Sequence, residues 1–72
     1  MYKPLGIELK NKFTGEICEV YISTAGCRWS SPGDYLLRHV TEDYIISWSF
    51  LCSENGFRRV INYGEWRYYH GN

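Results

Sequence analysis

Seventy-two residues with eight basic and eight acidic side chains, a formal net charge of zero, suffice for a single domain spanning residues 1–72 and lack the single-sign field that drives polyanion binding. The balance holds locally too, because residues 1–40 sum to +1 and residues 41–72 to −1. No apolar run approaches the roughly 18 residues a membrane helix needs, and Met1-Tyr2-Lys3-Pro4 opens no apolar leader, so the chain reads as cytoplasmic.

A chain this short buries only about 60% of its unfolded surface. Its 3 Trp, 7 Tyr and 3 Phe then serve as large core pieces, each able to bury about 150–250 Å², or as an aromatic binding surface.

In chain order, residues 5–23 read as a first hairpin. Leu5, Ile7 and Leu9 alternate with Glu8 and Lys10, and Cys18, Val20 and Ile22 alternate with Glu19 and Tyr21. A two- or four-residue loop around Lys12-Phe13-Thr14-Gly15 puts the six apolar residues on one face and the charges on the other.

Ser31-Pro32-Gly33-Asp34 reads as a helix start, with Ser31 as cap, Pro32 at the first position and Asp34 near the positive dipole end. Leu36, Leu37 and Val40 supply a short apolar stripe ending near Val40. Asn55-Gly56 then predicts a type I′ turn, because both residues tolerate positive φ. Folding about it sets Glu54 opposite Phe57, Cys52 opposite Arg59, Phe50 opposite Ile61 and Trp48 opposite Tyr63. Ile46, Trp48, Phe50, Cys52, Phe57, Ile61 and Tyr63 would share the core face. Gly64 breaks this strand, and Trp66, Tyr68 and His70 alternate with Arg67 and Tyr69 as a last short strand. The expected fold is α+β, in the order β-β-α-β-β-(β). It is a small antiparallel sheet or partly open barrel of two hairpins, about 4–5 strands, with one short helix.

Cys18, Cys27 and Cys52 form no C-x-x-C pair, and in a reducing compartment they read as buried thiols. With His39 and His70 they are the candidate metal ligands, but without the close pairs from which tetrahedral sites are usually built; no metal or cofactor is expected. A cysteine paired with His39 or His70, oriented by a carboxylate, would be the material for nucleophilic catalysis, yet no nucleophile elbow or phosphate loop accompanies it. The expectation is therefore a protein without enzymatic activity.

Binding is the reading that remains. Tyr, Trp and Arg are enriched at interface hot spots, which nominates Arg67, Tyr69, Trp29 and Arg58 as partner-binding residues. Strand alternation points Arg67 and Tyr69 away from Trp66 and Tyr68, leaving Tyr69 exposed, and Trp29 lies in a loop. The expected function is that of a small inhibitor or adaptor acting through protein–protein contacts, in the general style of phage or mobile-element proteins, with homodimerisation through an edge strand as a further expectation. The alternative is a single-stranded nucleic-acid binder using Arg58, Arg59, Trp66, Arg67, Tyr68 and Tyr69, whose rings would stack on bases while the arginines meet phosphates.

Overall fold

The computed structural model describes residues 2–26 and 30–69. Its first hairpin is the expected one, with β1 (Tyr2–Asn11) antiparallel to β2 (Ile17–Ser23). Asn11 builds the turn. Its side-chain Oδ1 accepts from the N–H groups of Phe13 and Thr14 at 2.9 and 3.0 Å. The Gly15 N–H donates to the Asn11 carbonyl, and the Asn11 N–H donates to that of Glu16. Gly15 takes φ +77°, a left-handed conformation that glycine adopts without penalty. The four-residue loop is therefore the one that forms.

Leu9, Cys18 and Val20 are buried as a group, as the alternation requires. β1 is irregular at Gly6 (φ +74°), where the ladder jumps from Pro4–Tyr21 to Glu8–Glu19. The strand advances four residues against two on its partner, so the faces stay in phase.

The expected helix after Ser31 does not form; Tyr35–Val40 is a strand, β3. Gly33 sits at φ +95°, and the Asp34 N–H donates to the Ser31 carbonyl. Pro-Gly at the centre of such a turn favours type II, whose third residue needs positive φ and so cannot continue into a helix. Asp34 Oδ2 accepts from the Ser31 N–H at 2.8 Å, and reciprocal bonds between Ser23 and the 33–34 segment tie the turn to the end of β2.

β4 (Ile46–Cys52) pairs with β3, but the hairpin expected about Asn55-Gly56 is also absent. Glu54–Gly56 is a 3₁₀ turn, and Phe57–Tyr63 is an α-helix, α1. Gly56 takes φ −99°, ψ −3°, which lies outside the type I′ region, so the expected cross-strand pairs of 46–54 with 57–63 do not exist. Phe57 and Ile61, one helical turn apart, both pack on the core. In isolation a helix of seven residues would be marginal, and docking is what stabilises it. The single helix of the described residues thus lies between the fourth and fifth strands, not between the second and third.

β5 (Trp66–Tyr69) pairs antiparallel with β1. The result is a five-stranded sheet in the order β4-β3-β2-β1-β5, whose edges are β4 and β5. From β4 the chain must cross the sheet to reach the far side of β1, and α1 makes that crossing over one face. Leu9, Cys18, Val20 and Leu37 form the core there, with Ile7, Tyr35, Leu51, Phe57, Ile61 and Trp66 packed around them.

Candidate functional site

Three places on this frame carry chemistry. The first is the sheet face opposite α1. Leu37 pairs with Ser49 and His39 with Ser47, so the serines of β4 turn toward the helix side. Leu36–Phe50, Arg38–Trp48 and Val40–Ile46 turn the other way. Ile46, Trp48 and Phe50, expected in the core, lie on the opposite, open face. Ile46 and Phe50 are 49% and 53% exposed, Val40 51%, and Ile17 of β2 is exposed beside them. Leu36 is fully buried, on the open face by its pairing with Tyr21 and Phe50. Trp48 is held edge-on by Tyr2 and Tyr21, with ring centroids 4.8 and 4.9 Å apart. The Arg38–Glu19 ion pair at 3.1 Å crosses the middle of the face.

The β3–β4 turn extends this surface. The Thr41 N–H donates to the Ile45 carbonyl and its Oγ1 accepts from the Ile45 N–H at 3.1 Å. Tyr44 is held at φ 61°, a left-handed conformation that costs a residue with a side chain of the order of 1–3 kcal/mol. It is 87% exposed, and Ile45 is 62% exposed. β4 is also an edge strand whose sequence, ISWSFLC, contains none of the charges or prolines that usually blunt edges.

The second place is an open groove of about 440 Å³ between α1 and β5, lined by Phe57, Arg58, Ile61, Asn62 and Tyr68. Here the structure locates the residues nominated from sequence. Arg58 lines the groove on α1. Arg67, exposed on β5, alternates with Trp66 and Tyr68 and so faces away from the helix. Tyr69 is half-buried and not exposed as expected, whereas Tyr68 is 48% exposed. Trp29 lies outside the described residues, as do Cys27 and His70. Arg58 and Arg59 sit on α1 while Arg67 is on the far side of the sheet, so these cations and aromatics do not converge on one surface.

The third place is a side-chain cluster at the start of β2. Glu16 precedes β2 by one residue and Cys18 follows on the same side. His39 of β3 lies across from them, one step beyond the Glu19–Arg38 pair. His39 Nδ1 lies 2.9 Å from Glu16 Oε2 and 3.3 Å from Cys18 Sγ. Its other ring nitrogen, Nε2, is 2.7 Å from Ser49 Oγ on β4. An ionised carboxylate only accepts, so a ring carrying its proton on Nδ1 would donate to Glu16 and could accept the Ser49 O–H at Nε2. The cluster brings together one of the expected cysteine–histidine combinations, with a carboxylate that the sequence pattern alone does not assign to it. Burial first, and then the Glu16 carboxylate, push the Cys18 thiol up to about 12 from 9.0. A thiol held protonated and 2% exposed is a poor nucleophile.

Comparison with known protein families, with curated proteins and with solved structures finds no match for this chain.

Proposed function

We propose that this is a non-enzymatic binding protein of the inhibitor or adaptor type, acting through protein–protein contacts made by β4 and the open sheet face. The observation that carries this reading is the orientation of β4, which presents Ile46 and Phe50, about half exposed, beside an unpaired strand edge. A partner segment adding to that edge would gain main-chain hydrogen bonds from the strand and side-chain contacts from the alternate residues Ile46, Trp48 and Phe50. Tyr44 and Ile45 on the adjoining turn enlarge the apolar contact, and Glu42 and Asp43 beside them favour a partner with basic residues at its rim. The protonated, buried Cys18 thiol supports the absence of nucleophilic chemistry at the one cysteine–histidine cluster among the described residues.

Capture from source-cell lysate tests this, comparing the wild-type chain with Phe50→Lys, Ile46→Lys and Arg58→Ala. The reading expects a protein band that survives nuclease and high salt, is lost with the two β4 variants and is retained with Arg58→Ala. Capture that the β4 variants keep, or that nuclease abolishes, overturns it. The second outcome would put the nucleic-acid alternative first, because phosphate contacts weaken steeply with salt.

A further inference from the structure

The Glu16–Cys18–His39 cluster presents one sulfur, one nitrogen and one oxygen ligand atom, all within 4.8 Å of one another. A tetrahedral zinc ion with bonds of about 2.0–2.3 Å needs ligand atoms separated by roughly 3.4–3.6 Å. The observed edges are 2.9 Å for nitrogen to oxygen and 3.3 Å for sulfur to nitrogen. The sulfur-to-oxygen edge lies within 4.8 Å, so side-chain rotations that open the two short edges and set sulfur and oxygen about 3.5 Å apart would seat an ion.

We propose that Glu16 Oε2, Cys18 Sγ and His39 Nδ1 form a zinc site, with a fourth position open to water.

Four observations converge on this ion and this mode. The donor set is mixed: a thiolate disfavours magnesium and calcium, while sulfur, imidazole and carboxylate together suit zinc. The charges match, because a carboxylate and a thiolate neutralise a divalent cation around a neutral imidazole. His39 already has the outer partner that zinc-bound imidazoles use. Its Nε2 meets the Ser49 hydroxyl at 2.7 Å, and that hydroxyl can accept from Nε2–H once Nδ1 is committed to metal. An entry route exists as well. The Glu16 side chain is 48% exposed and that of His39 21%, so the ion approaches from the solvent side while Cys18 forms the floor.

Coordination replaces the Cys18 S–H bond by a metal–sulfur bond and releases the proton to solvent. The bound ion would join the start of β2 to β3 directly, and to β4 through Ser49. It acts as a staple on a small core, with water in its open position.

Zinc chloride titrated into the chelator-treated full-length chain, followed calorimetrically, tests the site, with cobalt(II) absorption as the second readout. The expected result is one saturable zinc per chain, a melting temperature that rises with zinc, and a cobalt–thiolate charge-transfer band. Glu16→Gln and His39→Gln should lose or strongly weaken binding, and Ser49→Ala should weaken it about 10–100-fold. Cys27→Ser should leave the band in place. Replacing Cys18 risks unfolding, so the decisive variants are those at the more exposed Glu16 and His39, with circular dichroism confirming their fold. Absence of saturable binding, binding unchanged in His39→Gln, or a cobalt spectrum without a thiolate band overturns the site.

Discussion

Single residues decide where this chain turns, and Gly33 is the plainest case. At φ +95° its added Cβ would lie 3.0 Å from Glu54 Oε2, but that oxygen is the far end of a flexible side chain, so backbone strain dominates the cost. Gly33→Ala should destabilise by about 1–3 kcal/mol, read from urea denaturation midpoints; an unchanged midpoint would remove the type II turn from the account. Cys52 makes a different demand. Burial first, and then the Asp34 carboxylate, raise its thiol above the ordinary value of 9.0. The folded state therefore holds the proton more tightly than the unfolded chain does. Its contribution is fully present below pH 9 and is lost as the pH climbs above that value. Cys52→Ala should flatten the alkaline fall in stability, measured from denaturation midpoints between neutral and strongly alkaline pH. An identical alkaline slope in both proteins would contradict the assignment.

Elements are where sequence and structure part company, and the reasons are physical. The first hairpin was legible because period-2 alternation puts the same apolar residues on one face with either a two- or a four-residue loop; the choice of the four-residue loop rests on the Asn11 side chain, which the alternation does not reveal. The segment 31–40 was misleading because Pro-Gly suits both a helix start and a type II turn, and adjacent Leu36 and Leu37 suit both a helix stripe and a strand buried on two sides. Asn55-Gly56 drew its apparent strength from flanking residues that alternate at period 2. Phe57 and Ile61 are four apart, a spacing that keeps the same face in a strand and in a helix. As a helix, 57–63 packs Phe57 and Ile61 against the core of Leu9, Cys18, Val20 and Leu37. Reading β3 as a helix also hid the Glu16–Cys18–His39 cluster, since only as a strand does His39 lie across from Cys18. The end of α1 offers a test at this scale. The Gly64 N–H donates to the Val60 carbonyl at 2.9 Å, and a Cβ on Gly64 would sit 2.5 Å from that same oxygen. Backbone cannot step aside cheaply, so Gly64→Ala should cost about 1–3 kcal/mol and reduce helical circular dichroism. A wild-type spectrum and midpoint would show that α1 ends elsewhere.

The whole molecule is asymmetric across its sheet. One face carries the core under α1, and the other buries Leu36 and half-buries the Tyr2–Trp48–Tyr21 aromatic group while leaving Val40, Ile46 and Phe50 about half exposed. Stability and binding should therefore separate by face. Leu9→Ala, at a fully buried position, should cost about 2–5 kcal/mol, whereas Phe50→Lys should stay within about 0.5 kcal/mol of wild type. Comparable losses for both would mean that Phe50 belongs to the core. The two proposals also separate: zinc at Glu16, Cys18 and His39 lies on the helix side, and partner docking uses the other face and the β4 edge. The most direct test of the central claim is amide hydrogen exchange of the chain alone and in its captured complex. Strand addition predicts new protection at alternate amides of Ile46–Cys52, those pointing away from β3, with no change in α1. Protection confined to α1 and β5, with the β4 amides exchanging as in the free chain, would contradict the assignment and move the interface to the groove at Arg58.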